Sequence, residues 1–119
     1  MSDEFEGHLF PVLEAVSNHF GTPFHIYDEA GIRATGESLK KAFSGIKGFR
    51  EYFAVKALPN PIILKIMKSM GFGFDCSSIA EILLSRKVRA HEEDIMLTSN
   101  NTSREEFRVR PACRYFNRI

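Results

Sequence analysis

In the second half of this chain, three apolar, β-forming runs recur about twenty residues apart, each followed by a stretch of helical spacing. The run at residues 52–57 precedes a helical stretch at 61–70, and Gly73–Cys76 precedes one at 78–85. A third run at 95–98 precedes a stretch from Ser103 onward. Alternation of this kind predicts parallel βαβ units, because a parallel strand pair needs a crossover long enough to hold a helix. Gly71 and Gly73 flank Phe72 and suit a tight return from helix to strand.

Three such units do not close. A (β/α)8 barrel takes about 250 residues, whereas this chain has 119. Three parallel strands alone leave an open edge and a half-covered core. The expected fold is therefore α/β, either a small three-layer domain or the first βα units of an incomplete TIM barrel. Upstream, Leu9, Val12, Leu13, Val16 and Phe20 predict a helix over residues 9–20 with Gly21 as its stop. A short strand is expected at 24–27. A second helix is expected at 29–43, with Ile32, Leu39 and Phe43 on its buried side and Gly36 as its weak point.

Composition narrows the function classes. Hydrophobic residues at 44% and charged residues at 26% are a globular balance. A net charge of +1 offers no electrostatic case for nucleic acid or an anionic membrane. Cys76 and Cys113 make no disulfide framework, and no His/Cys spacing suggests a metal site. No apolar run reaches transmembrane length, and the acidic start Met1-Ser2-Asp3-Glu4-Phe5-Glu6 argues against a signal peptide, so a cytoplasmic protein is expected. His8, His19, His25 and His91 are scattered and read as surface or packing residues.

One residue in the first run does not suit a buried strand. Tyr52-Phe53-Ala54-Val55-Lys56-Ala57 carries Lys56 near its end. Burying an ammonium costs several kcal/mol, of order 3–5, unless it is paired or neutralised. A desolvated lysine gives up its proton and can form a Schiff base with a carbonyl. Leu58-Pro59-Asn60-Pro61 ends the run. Lys56 is thereby placed at the strand-to-loop rim where parallel barrels build their sites. Snorkelling from a strand end is its plainer role. Asp75 ends the second strand at the same rim, where it either orients Lys56 or a cofactor, or caps the next helix. Ser78 and Glu81 have the spacing of a capping box. The third strand ends in the polar loop Thr98-Ser99-Asn100-Asn101-Thr102-Ser103, whose plainer role is to cap a helix through Thr102 or Ser103.

In this order and spacing the pieces resemble the fold-type III decarboxylases that use pyridoxal 5′-phosphate (PLP), with an alanine-racemase-like barrel. Ala54-Val55-Lys56-Ala57 followed by Asn60-Pro61 resembles the family's lysine motif, and Gly73-Phe74-Asp75-Cys76-Ser77-Ser78-Ile79-Ala80-Glu81 its second motif. Gly21-Thr22-Pro23-Phe24-His25-Ile26-Tyr27-Asp28 is similar to the opening of diaminopimelate decarboxylases, and Asp94-Ile95-Met96-Leu97-Thr98-Ser99-Asn100-Asn101 to the third-strand region. Leu58 departs from the asparagine usual after Lys-Ala, and Ile79-Ala80 from a pair of small residues.

The resemblance implies that Lys56 is the catalytic lysine that holds PLP, and that Asp75 contributes to the cofactor site. It implies decarboxylation of meso-diaminopimelate to L-lysine in lysine biosynthesis, and a homodimer for full-length members. Ornithine, arginine or carboxynorspermidine as substrate, a PLP-homeostasis protein, and a non-catalytic PLP-binding or regulatory homologue are its alternatives. The family's phosphate loop, ring histidine, acidic partner of the ring nitrogen and C-terminal β domain do not fit within 119 residues. Expected divisions are residues 1–28 as lead-in, 29–107 as partial PLP-binding barrel, and 108–119 as a basic tail with four arginines and no acid. Pro111 is expected to interrupt the helix from Ser103, and a truncated or frame-shifted decarboxylase sequence is expected to underlie the tail.

Overall fold

The computed structural model describes residues 3–98 and the backbone of residues 114–115. Its contacts divide the chain into two compact units, Met1–Ala42 and Phe43–Ile119.

The first unit holds two helices. Helix α1, Asp3–Phe20, begins six residues earlier than the apolar spacing predicts, with Asp3, Glu4 and Glu6 in its first turn and Pro11 inside it. Carboxylates there complement the helix dipole. It ends where expected: Gly21 adopts φ 73° and its N–H returns to the Ser17 carbonyl at 2.9 Å. Helix α2, Glu29–Ala42, runs through Gly36, which is its buried residue, while Ile32 and Leu39 are half-buried and Phe43 is exposed. Asp28 caps α2, accepting from the Gly31 N–H at 3.1 Å.

His8 pairs with the same carboxylate, Nδ1 to Oδ2 at 2.7 Å. That hydrogen bond, with the charge of Asp28, holds the His8 pKa above its usual 6.5. The bond from His8 and then the Gly31 amide hold Asp28 below its usual 3.8. The expected strand at 24–27 does not form. Its aromatic and β-branched residues suit a strand, but no ladder partner pairs with them among the described residues.

The second unit is a parallel sheet. Strand β1 (Tyr52–Ala54) leads through helix α3 (Pro61–Ser69) to β2 (Gly73–Cys76), and helix α4 (Ile79–Lys87) leads to β3 (Ile95–Leu97). Strand β4, Arg114–Tyr115, completes the order β1-β2-β3-β4, every neighbouring pair parallel. The strand that β4 adds lies within what the sequence reading sets apart as a basic tail. The helix expected from Ser103, its cap at Thr102 or Ser103 and the interruption at Pro111 lie outside the described residues.

Side chains alternate across β2 and β3. Phe74, Cys76, Ile95 and Leu97 are buried with Val55, Leu64, Ile82 and Val88 in one core cluster. Tyr52, Ala54, Asp75 and Met96 occupy the opposite parity and are half-buried. Burying a large apolar side chain contributes about 1.5–3 kcal/mol, so this cluster dominates the unit's cohesion.

The two glycines around Phe72 serve different ends. Gly71 adopts φ 83°, which a side chain resists. Gly73 gives room: a Cβ there would stand 2.5 Å from the Tyr52 ring and 2.8 Å from the Asp94 carbonyl oxygen. Arg50 closes this edge, paired with Asp94 and lying 5.5 Å from the Tyr52 ring centroid.

Candidate active site

Because the strands are parallel, their C-terminal ends lie along one edge of the sheet, and Lys56, Asp75 and Thr98 all fall there. The surroundings of Lys56 differ from the expectation. Strand β1 stops at Ala54, the register partner of Asp75, and Val55–Ala57 turns as a 3-10 helix. The Leu58 N–H closes that turn on the Val55 carbonyl at 3.2 Å. Val55 takes the fully buried place and Lys56 is exposed. The first strand leaves the ladder at this turn, although β2 runs one residue further, to Cys76. The amine thus stands in water at the rim rather than inside the sheet.

The residues after Lys56 fix where the next helix begins. Asn60 caps α3, its Oδ1 accepting the Ile62 N–H at 2.9 Å, and Pro61 sits in the first turn. Rigid punctuation on both sides gives the exposed lysine a defined base.

Asp75 stands one residue before the end of β2, half-buried, and does not cap α4. Ser78 does so, its Oγ accepting the Glu81 N–H at 3.4 Å. Glu81 reaches back as in a capping box, except that its backbone donor is Ser77, one residue before the cap. Its Oε1 accepts the hydroxyls of Ser77 at 2.9 Å and Ser78 at 3.0 Å, and its Oε2 accepts the Ser77 N–H at 2.9 Å. These bonds tie the turn after β2 to α4 and leave Asp75 for other work.

The Asp75 carboxylate meets Thr98 instead. The Thr98 amide donates to the Cys76 carbonyl at 2.9 Å, which carries the β2–β3 ladder one step past Leu97. Thr98 thereby falls on the parity of Asp75, and its hydroxyl donates to Asp75 Oδ1. The sequence reading passes over this pair, since nothing short of the strand register brings residues 75 and 98 together.

The donor set suits a carbonyl cofactor. A primary amine, unencumbered by burial, is what must reach an aldehyde, and an anchored carboxylate on the next strand is what orients a cation or a hydroxyl beside it. No helix among the described residues is long and apolar enough to cross a membrane.

Residues 29–114 match the family described as pyridoxal-dependent decarboxylase, pyridoxal-binding domain. The match thus runs past residues 107–108, where the sequence reading ended the family pattern. Protein TabA of Pseudomonas amygdali pv. tabaci is 46% identical over 109 residues, covering 92% of this chain and 26% of that protein. Diaminopimelate decarboxylase of Campylobacter jejuni subsp. jejuni is 33% identical, covering 78% of this chain and 23% of that protein.

Among solved structures, the lysine/ornithine decarboxylase complexed with putrescine from Vibrio vulnificus has TM-score 0.78 at 26% identity, covering 95% of this chain and 30% of that one. Diaminopimelate decarboxylase from M. jannaschi has TM-score 0.76 at 23% identity, covering 80% of this chain and 23% of that one, and bears on the fold alone. The chain spans about a quarter of the length of the curated relatives it matches. A parallel βα segment with this sequence match places the chain in the family of pyridoxal-dependent decarboxylases, within their pyridoxal-binding domain.

Proposed function

We propose that this chain supplies the cofactor-attachment part of a PLP-dependent amino-acid decarboxylase, with Lys56 as the attachment point and Asp75 beside it. The observation that carries the proposal is an exposed lysine on a 3-10 turn at the C-terminal end of β1, with the half-buried carboxylate of Asp75 on the adjoining strand. Lys56 acts first as a nucleophile. Its Nζ would hold the cofactor's aldehyde carbon, and it must be deprotonated to do so. Asp75 is fixed at one oxygen by the Thr98 hydroxyl, which leaves its other oxygen to orient the amine or the cofactor. The capping box of Ser77, Ser78 and Glu81 keeps the turn beneath the site from shifting. Bound there, PLP supplies the electron sink that decarboxylation of an amino acid requires.

Within this reading meso-diaminopimelate is the substrate, and L-lysine and CO2 are the products. The resemblance of residues 21–28 to the opening of diaminopimelate decarboxylases supports it, as does the 33% identity to the Campylobacter enzyme of that name. Ornithine is the second reading, favoured by the TM-score of 0.78 to a lysine/ornithine decarboxylase. Cytoplasmic residence and homodimeric assembly belong to the same reading. Release of labelled CO2 from carboxyl-labelled amino acids tests it, with PLP present and the Lys56→Ala variant as blank. Release from diaminopimelate that needs Lys56 supports the first reading, and release from ornithine alone moves the substrate to the second. PLP taken at Lys56 with no CO2 released from any amino acid is the outcome expected of a cofactor-attachment part inactive by itself, and it is shared by a non-catalytic homologue.

A further inference from the structure

We infer that Thr98 is a positioning residue for the cofactor site, acting through Asp75. The inference rests on the reading of Lys56 and Asp75 given above and adds a residue from a third strand to it.

The geometry starts from the sheet. Asp75 pairs with Met96 across the β2–β3 ladder, and Thr98 stands two residues further along the same parity. The ladder reaches it, because the Thr98 amide is bonded to the Cys76 carbonyl at 2.9 Å. On the other side Asp75 pairs with Ala54, two residues before Lys56. Asp75 is therefore placed on the strand between β1, which leads into the lysine's turn, and β3, which leads into the threonine. The Thr98 hydroxyl donates to Oδ1, and among the described residues no other side chain is bonded to this carboxylate. A half-buried carboxylate with one oxygen pinned rotates less about its last torsion. Its second oxygen then keeps one direction, which is what a group orienting an amine or a ring hydroxyl needs. A β-branched residue serves well, since its own χ1 is stiff.

The test is PLP binding by the whole chain, read from visible absorbance and from borohydride-trapped adduct at Lys56, in a double-mutant cycle. Hydrogen bonds to charged groups have a size that predicts about tenfold weaker PLP binding in Thr98→Val. Thr98→Ser, which keeps the hydroxyl, is expected to restore wild-type binding. In an Asp75→Ala background, which leaves no side-chain acceptor at that position, the same Thr98→Val change is expected to alter binding less than twofold. Equal effects of Thr98→Val in both backgrounds overturn the inference, as does a Thr98→Ser variant that binds no better than Thr98→Val. Wild-type chain that forms no adduct at Lys56 overturns the reading of the site itself, and the inference with it. Matching far-ultraviolet circular dichroism among the variants separates these outcomes from misfolding.

Discussion

Replacing Gly73 by alanine adds one methyl group at the start of the central strand β2 and tests how tightly this edge of the sheet is built. An ideal Cβ at that position stands 2.5 Å from both Cδ1 and Cε1 of Tyr52 and 2.8 Å from the backbone oxygen of Asp94. Comfortable carbon contacts begin at about 3.5 Å, so something must move. The tyrosine ring has room to swing, at the cost of its contact with Arg50, 5.5 Å from the ring centroid. The Asp94 oxygen moves only with the 3-10 turn Glu92–Asp94 that feeds β3. Overpacking of this kind costs about 1–3 kcal/mol. Alanine gains back about 0.4–1 kcal/mol by restricting the unfolded chain. The expected net loss is about 1–2 kcal/mol, and with a urea slope near 2 kcal/mol per molar the midpoint falls by about 0.5–1 M. Urea titration followed by circular dichroism reads this directly. Tyr52→Ala in the same background is expected to restore only part of the loss, since the Asp94 oxygen stays in the way. A Gly73→Ala midpoint equal to or above that of the parent chain refutes the close approach.

Other positions give independent checks. Ser78→Ala removes the cap of α4 and is expected to cost about 1 kcal/mol in urea titration, with Ser78→Thr, which keeps the hydroxyl, close to neutral. Arg89, at φ 61° just past α4, is in a region that favours glycine, so Arg89→Gly is expected to raise the unfolding midpoint by the equivalent of about 0.5–1 kcal/mol while Arg89→Ala does not. Phe74, fully buried, is expected to cost about 3–5 kcal/mol on truncation to alanine.

The His8–Asp28 pair makes a pH prediction. The raised histidine contributes stability that is fully present below its usual 6.5 and is lost as pH rises through its folded value. The lowered aspartate contributes stability present above its usual 3.8 and lost as pH falls through its folded value. Proton NMR of the His8 ring is expected to show a titration midpoint above 6.5 that drops in Asp28→Asn. An unchanged midpoint removes the pair.

How far the sequence could be read depended on whether a feature is local. The capping box needs only residues 78 and 81, three apart on one helix, and its spacing was enough. The parallel units were legible because apolar runs, turn residues and helical spacing each report on a few neighbouring positions. The end of β1 was not. Residues 52–57 form one continuous β-forming run, yet the ladder stops at Ala54, where the chain turns into the 3-10 helix Val55–Ala57.

Residues 24–27 show the converse, since strand-like composition without a pairing partner leaves no strand. The start of α1 carries a local signal in Asp3, Glu4 and Glu6, which lie in its first turn but outside the apolar spacing that begins at Leu9. Thr98 against Asp75 required the register of two strands, which no local pattern encodes.

The most direct test of the account is the residue at which the chain takes PLP. The purified chain is titrated with PLP, reduced with borohydride and digested, and the peptides are mapped by mass, with Lys56→Ala run beside it. A saturable visible band and a single pyridoxyl-modified peptide carrying Lys56, both lost in the variant, are the predicted result. Modification spread over the chain's lysines, or a band that survives Lys56→Ala, contradicts the assignment of this rim as the cofactor site.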